Sequence, residues 1–275
     1  MSLIELPELQ QGTPEWHDQR RGMVTASVVD KLVTVGPPDA LTVACPTCEA
    51  LPVESCISTA RKAPTALKNV HPARTAAAGN LPPVVGVADN ETSRGLTETL
   101  VAERIAGWTE DTPMTSDMWR GVDSEPYARD VYAEHHGNVE QVGFMVRDDW
   151  GFKIGYSPDG LVGDDGLIEI KAPRAKGHLR TVLSGKVPAY NMAQLQTGLL
   201  VSGRKWIDFI PYCGGLPLWS TRVYPDPAWQ EAIVDAVAKF ETDAAEMVAN
   251  YRAATAGLPI TERISFDDVL ELKLP

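Results

Sequence analysis

Apolar positions recur along this 275-residue chain in two rhythms, and the change between them marks its elements. Leu96, Leu100, Val101 and Ile105 fall on one helical stripe, so residues 92–106 read as a helix stopped by Gly107. Residues 116–136 repeat that spacing with Met118, Trp119, Val122, Tyr127, Ala128, Val131 and Tyr132, and end at Gly137. Pro126 should kink this helix, or begin a new turn directly after Glu125. A different texture then takes over. Residues 152–156 have strand character, Gly163-Asp164-Asp165-Gly166 is a turn, and residues 167–170 form a short apolar strand running into Lys171. Further on, residues 188–201 read as an apolar helix carrying Gln194 and Gln196, and residues 206–212 and 218–223 as strands joined by Cys213-Gly214-Gly215. Asp226-Pro227 opens a long amphipathic helix with Trp229, Ile233, Val237, Phe240 and Ala244 on its apolar face. The tail after Gly257 reads as extended, an arm able to lie on a neighbouring subunit. Strands interleaved with helices predict an α/β fold with a central mixed sheet.

The ends of the pattern carry their own signals. Thr13-Pro14-Glu15 combines an N-cap, a proline at the first helical position and a first-turn acid. The short helix it starts bears Trp16, His17, Arg20 and Arg21 and should stop at Gly22. Thr25-Ala26-Ser27 then caps a second helix through Val28, Val29 and Leu32. Helix starts with open N–H groups, hydroxyls and an arginine nearby can cradle a phosphate; a plain helical hairpin is the alternative. Residues 37–90 are rich in Pro, Ala, Thr and Val without helical or strand period, and read as an insertion. Within it lie Cys45-Pro46-Thr47-Cys48, then Cys56 and His71, the donor set of a tetrahedral structural Zn²⁺. Metal binding would let so irregular a segment fold; unliganded cysteines are the alternative. Cys213 is a lone turn thiol without an assigned role.

Composition narrows the class. Hydrophobic residues make up 44% and charged residues 23%, ordinary globular values. No apolar run approaches a membrane span and the N-terminus lacks the basic start and apolar centre of a signal peptide, so a cytoplasmic protein with no membrane partner is expected. The formal net charge of -12 argues against general adhesion to nucleic acid. Local order differs: residues 170–207 hold seven Lys or Arg and no acid, and residues 57–88 hold Arg61, Lys62, Lys68 and Arg74, again with no acid. Such tracts suit a phosphate-tracking groove, or are solvated loops.

The chemistry centres on Ser157-Pro158-Asp159-Gly160 and Leu167-Ile168-Glu169-Ile170-Lys171. Side chains alternate along a strand, so Glu169 and Lys171 share a face, and pairing across a hairpin can bring Asp159 beside them. Two carboxylates can hold Mg²⁺ while the lysine orients or helps deprotonate water and steadies phosphate charge. The spacing resembles the signature of the PD-(D/E)xK nucleases; a solvated Asp-Gly hairpin is the alternative. Glu125, at a helix break, is either a solvated cap or a third carboxylate aimed at the site. Gln194, one helical turn from Tyr190, wants a partner such as a phosphate or a DNA sugar.

These signals occur in one order: Glu15-Trp16-His17 with Arg20 and Thr25-Ala26-Ser27; Gly121 with Glu125 and Ala128-Arg129; Ser157-Pro158-Asp159-Gly160; Glu169 and Lys171; Met192-Ala193-Gln194 with Gln196. The series resembles the YqaJ-type viral recombinase family of lambda-exonuclease-like PD-(D/E)xK nucleases, over residues 13–33 and 97–219. The resemblance implies a nuclease-like mixed sheet flanked by helices, residues 1–275 forming one exonuclease domain around the 37–90 zinc-binding loop. It implies Mg²⁺-dependent 5′-to-3′ degradation of double-stranded DNA ends, with two Mg²⁺ (or Mn²⁺) held by Asp159, Glu169, Glu125 and the carbonyl of Ile170. Lys171 matches the lysine that assists the water, and Gln194 the glutamine lining the site. Arg20 matches the arginine on the 5′ phosphate, with Thr25 and Ser27 near it. A homotrimeric ring and a single-strand annealing protein follow as partners in phage or prophage recombination. Asn191 departs from the family pattern, with Tyr190 one place before it, and the cysteine insertion is also a departure. A nuclease of other polarity, CRISPR-adaptation or RecB-like, is the enzymatic rival, and a non-catalytic DNA-binding recombination protein the other.

Overall fold

The computed structural model describes residues 2–58, 63–110 and 113–263. In chain order its elements are β1 (Leu3–Leu6), α1 (Pro14–Arg20), β2 (Val24–Thr25), β3 (Val33–Gly36), α2 (Pro72–Gly79), β4 (Val84–Val87), α3 (Glu91–Ala106) and α4 (Ser116–His136). There follow β5 (Val139–Glu140), β6 (Phe144–Arg147), β7 (Ile154–Tyr156), β8 (Gly160–Val162), β9 (Gly166–Lys171), α5 (Ala175–Ser184), α6 (Ala189–Ser202), β10 (Trp206–Pro211), β11 (Thr221–Val223) and α7 (Pro227–Ala254). The fold is α/β, with helices covering a mixed sheet.

That sheet is five-stranded in the order β11-β10-β9-β8-β5, and only β9 and β10 run parallel. A four-stranded sheet, β1-β6-β7-β2, is built from strands that, apart from the short β5, precede those of the five-stranded sheet. Residues 157–159 carry the chain from β7 in one sheet to β8 in the other. Both faces of β9 are buried, which explains its continuous apolar character. Leu167 joins Leu195, Leu199, Ile207 and Phe209 in the main core on the α6 side. Ile168 and Ile170 instead pack with Ile210 against Ala128 and Tyr132 of α4. Strand alternation therefore sends Glu169 to the α6 face. The place of β8 between β5 and β9 needs Gly160, because a Cβ there would lie 2.3 Å from a Val139 methyl and 3.0 Å from the Ile168 side chain.

Several sequence expectations are corrected. The strand paired with β9 is Gly160–Val162; the 152–156 run contributes β7, which pairs with β6 and β2 instead. Thr25 does not cap a second helix. Buried Val24 and Thr25 pair in parallel with Ile154 and Gly155, leaving only a 3₁₀ turn at Val29–Lys31. The insertion is less irregular than its composition suggests: β3 and β4 pair as a ribbon at its two ends, and α2 starts directly after His71 with Pro72 at its first position. Pro126 sits inside one continuous α4, with no new helix starting there. Helix α5 and the edge strand β1 lack a sequence reading altogether. In the tail, residues 258–263 have no regular structure, Arg263 lies over the Trp108 ring, and residues 264–275 fall outside the described residues.

Candidate active site

Asp159 stands at the end of the crossing between the sheets, where its Oδ2 accepts the Ile170 backbone N–H at 2.6 Å. That bond locks the loop carboxylate against β9 beside Glu169. Glu169 is 1% exposed, yet its carboxylate accepts from Lys171 Nζ at 2.7 Å, from Gln194 Nε2, and from the Tyr156 hydroxyl at 3.4 Å. The alternation of β9 thus brings Glu169 and Lys171 together as the sequence predicts. Gly198 makes room for Tyr156, since a Cβ there would come within 2.8 Å of its ring. Glu125 approaches from α4, tied to Arg129, whose Nε donates to the Asp159 carbonyl at 2.9 Å.

The electrostatics show three acids crowded together. Burial, then the charges of Glu169 and Glu125, hold the Asp159 carboxyl well above the usual carboxylate range. Glu125 is also raised, chiefly by burial, with Arg129 opposing and Glu169 adding to the shift. Burial pulls Lys171 down, but Glu169 and Asp159 outweigh it and the ammonium is stabilised. Hard carboxylate oxygens that repel one another around a single cation fit a divalent ion such as Mg²⁺ or Mn²⁺. Asp159, Glu169 and Glu125 are the residues that could hold it. The Ile170 backbone lies in the same corner, its N–H engaged by Asp159.

A second group shares with Glu125 a cleft of about 1250 Å³ that is lined by Trp16, Arg20, Thr25, Glu125, Arg129 and Pro158. The Arg20 guanidinium donates to Ser27 at 2.8 Å, Thr25 at 3.2 Å and Ser157 at 3.3 Å, and sits 4.0 Å from the Trp16 ring centroid. Burial lowers its pKa to about 10, with Glu103 resisting, so it remains a cation at neutral pH. Hydroxyls hold this guanidinium in place while leaving its charge available to an anion. Met118, Trp119 and Val122 of α4 add an exposed apolar wall to the cleft.

Residues 71–205 match the YqaJ-like viral recombinase domain. The resemblance read from the sequence is thereby borne out, and residues 11–90 match a putative DNA-binding phage zinc finger domain. Among solved structures the chain is similar to an alkaline exonuclease, LHK-Exo, from Laribacter hongkongensis. Identity is 26%, the match covers 90% of this chain and 100% of that one, and the TM-score is 0.64. LHK-Exo in complex with dAMP matches with the same values. No curated protein matches the chain.

The insertion forms a separate centre. The ligand atoms of Cys45, Cys48, Cys56 and His71 all lie within 4.8 Å of one another, and the cysteines are free of disulfides. Glu49, in the left-handed region at φ 57°, turns the chain back after Cys48, and its N–H donates to the Cys45 carbonyl at 2.9 Å. Three sulfurs and one imidazole converging this way suit tetrahedral coordination, and with the match to a phage zinc finger domain they fit a structural zinc. Burial pushes the Cys56 thiol up, but the His71 N–H and the Arg74 guanidinium outweigh it and bring its pKa to about 6.

The basic tracts divide on inspection. Lys176, Arg180 and Lys186 are exposed, whereas Arg204 is spent on the Gly163 and Gly166 carbonyls and Lys205 on Asp165. Arg74 is fully buried and so no part of a surface groove, and Arg61 and Lys62 lie outside the described residues. Sequence reasoning missed three contributors. Tyr156 and Ser157 support Glu169 and Arg20, and Arg129 joins two acids; Ser157 and Arg129 stand in the motif series without an assigned role, and Arg129 also has its i,i+4 spacing from Glu125 as a local signal. Asp208 is a buried acid of another kind, satisfied by the Tyr132 hydroxyl at 2.6 Å and by Arg222 at 2.8 and 2.9 Å.

Proposed function

We propose that this chain is a Mg²⁺-dependent DNA exonuclease that degrades the 5′-ended strand of duplex DNA and leaves a 3′ single-stranded tail for phage-type recombination. The observation that carries this reading is one cleft lined by both Arg20, ringed by hydroxyls, and Glu125, whose charge is felt by Asp159, Glu169 and Lys171. Similarity to an alkaline exonuclease, a relative also seen with dAMP, supports a nucleotide strand as the occupant. When bound at Asp159, Glu169, Glu125 and the Ile170 carbonyl, two Mg²⁺ (or Mn²⁺) would supply charge to activate water and to stabilise the leaving 3′ oxygen. Lys171, kept cationic by its carboxylate neighbours, orients the attacking water and draws charge from the phosphate. Gln194 fixes the Glu169 carboxylate, and Arg20 with Thr25 and Ser27 anchors a terminal 5′ phosphate, so that the first phosphodiester bond lies at the acids.

In this reading residues 37–90 are an insertion in a single exonuclease domain, the enzyme works in the host cytoplasm, and an annealing protein coats the tail it makes. A homotrimer around DNA would supply processivity to a protein of net charge -12. No helix among the described residues is long and apolar enough to cross a membrane. The test is digestion of linear duplexes labelled at each end, carrying a 5′ phosphate or a 5′ hydroxyl, in Mg²⁺ and in EDTA. Metal-dependent loss of the 5′ label, faster from the phosphorylated end, is expected. Asp159→Ala and Lys171→Ala should each abolish it, and Arg20→Gln should erase the preference for phosphate. Release of the 3′ label first would overturn the polarity, and activity retained in Asp159→Ala would overturn the site.

A further inference from the structure

Arg74 is 0% exposed, yet its acceptors are three backbone carbonyls and a sulfur, with no carboxylate among them. Its Nε donates to the Val43 carbonyl at 2.9 Å, and its two terminal nitrogens donate to Glu54 at 2.6 Å and Leu51 at 2.7 Å. The fourth acceptor is Cys56 Sγ at 3.5 Å. Carbonyls can satisfy the N–H groups, but they do not neutralise the charge, and a guanidinium taken out of water without a counter-charge is strongly disfavoured. A compensating anion is therefore required within the module.

The cysteine–histidine site can provide it. Three thiolates and a neutral imidazole around a divalent ion carry one net negative charge. We infer that Arg74 is the internal counter-ion of this site, and that the site takes Zn²⁺ with all three sulfurs as thiolates. The position fits the role. His71, a ligand, is the N-cap of α2, and Arg74 lies on its first turn, so one helix start delivers both ligand and counter-charge. The three carbonyls that Arg74 gathers flank the Cys45–Cys48 knuckle on both sides, so the same side chain also fixes the knuckle's frame. His71 strengthens the link through its own N–H, which donates to Cys56 Sγ at 3.5 Å.

A pure structural clamp and a counter-ion differ in one respect: only the second responds to the charge of the ligand set. The experiment compares zinc retention by the full-length chain against a chromophoric chelator in the wild type, Arg74→Lys and Arg74→Gln, with and without Cys48→His. Cys48→His changes the ligand set to two sulfurs and two imidazoles, which with Zn²⁺ carries no net charge. Arg74→Gln should weaken zinc retention at least ten-fold, Arg74→Lys only a few-fold, and in the Cys48→His background the loss on Arg74→Gln should shrink at least three-fold. Equal losses for Lys and Gln, or an unchanged loss in the Cys48→His background, would overturn the counter-ion role. Should Arg74→Gln alone fail to fold, the inference requires the double variant to be recovered folded and zinc-loaded, and failure of both also overturns it.

Discussion

Asp159 and Glu125 are carboxylic acids placed where charge is resisted. Each has its pKa raised, Asp159 by burial and then by Glu169 and Glu125, Glu125 chiefly by burial. A raised carboxylate pKa means that the metal-free folded protein holds protons which the unfolded chain releases. The associated stability is present at pH below the ordinary carboxylate range and is lost as pH rises through the raised values. A divalent cation removes the repulsion, so it should stabilise the fold more at pH 8 than at pH 5.5. At 100 times its dissociation constant a ligand adds about 2.7 kcal/mol, worth several degrees in a chain of this size. Thermal melts with and without Mg²⁺ at the two pH values check this. Asp159→Asn should raise the metal-free melting temperature at pH 8 and abolish most of the metal-induced rise. A Mg²⁺ effect that does not vary with pH would mean that these acids do not receive the ion. The residues that make this corner were legible because strand alternation, a local rule, joins Glu169 to Lys171. Arg129 and Tyr156 were not, since their contacts cross from α4 and β7.

At the scale of elements, Arg129 is the join between α4 and the loop from β7 to β8. One guanidinium edge holds the Glu125 carboxylate and Nε holds the Asp159 carbonyl, so helix and loop are set relative to each other by a single side chain. Outer partners of metal ligands typically account for about 10–100-fold in metal affinity or activity. Arg129→Lys keeps the charge but loses the fork. It should raise the Mg²⁺ concentration needed for half-maximal DNA cleavage about ten-fold, with most of the rate recovered at saturating metal. A Mg²⁺ titration of the initial rate measures it; a lower rate with unchanged metal dependence would assign Arg129 to DNA binding instead. The long helices α3, α4, α6 and α7 were legible from period and caps alone: Gly107 ends α3 and Gly137 ends α4, as expected. Strands β1, β2 and β5 were not, because two to four residues carry too little pattern and their partners are distant, as in Leu3 opposite Arg147. The same cause misplaced Thr25. Its local context suggests a helix cap, but pairing with Gly155 and the bond from Arg20 decide its position.

Across the whole molecule two centres depend on different forces. The acidic site rests on the main core, with Leu167, Leu195 and Phe209 packed around it. The zinc module leaves that core between β3 and β4, whose ribbon runs from Val33 opposite Val87 to Gly36 opposite Val84. Its own apolar cluster is small: Cys45, Ala50 and Cys56, with Cys48, Leu67 and Val70 against them. So little apolar burial cannot offset the ordering of the segment, about 1–2 kcal/mol of backbone entropy per residue, without metal-ligand bonds. The hydrogen bonds that set Asp159, Glu169, Lys171 and Gln194 come from residues between Glu125 and Gln194, none of them in the module. Stripping zinc from the full chain should therefore open the module and leave the acidic site folded. Hydrogen exchange with and without chelator reads this directly. Amides of residues 40–58 and 63–79 should lose protection by at least ten-fold, while those of β9 and α6 keep theirs. Protection lost equally in β9 and α6 would show that the module is part of one cooperative core.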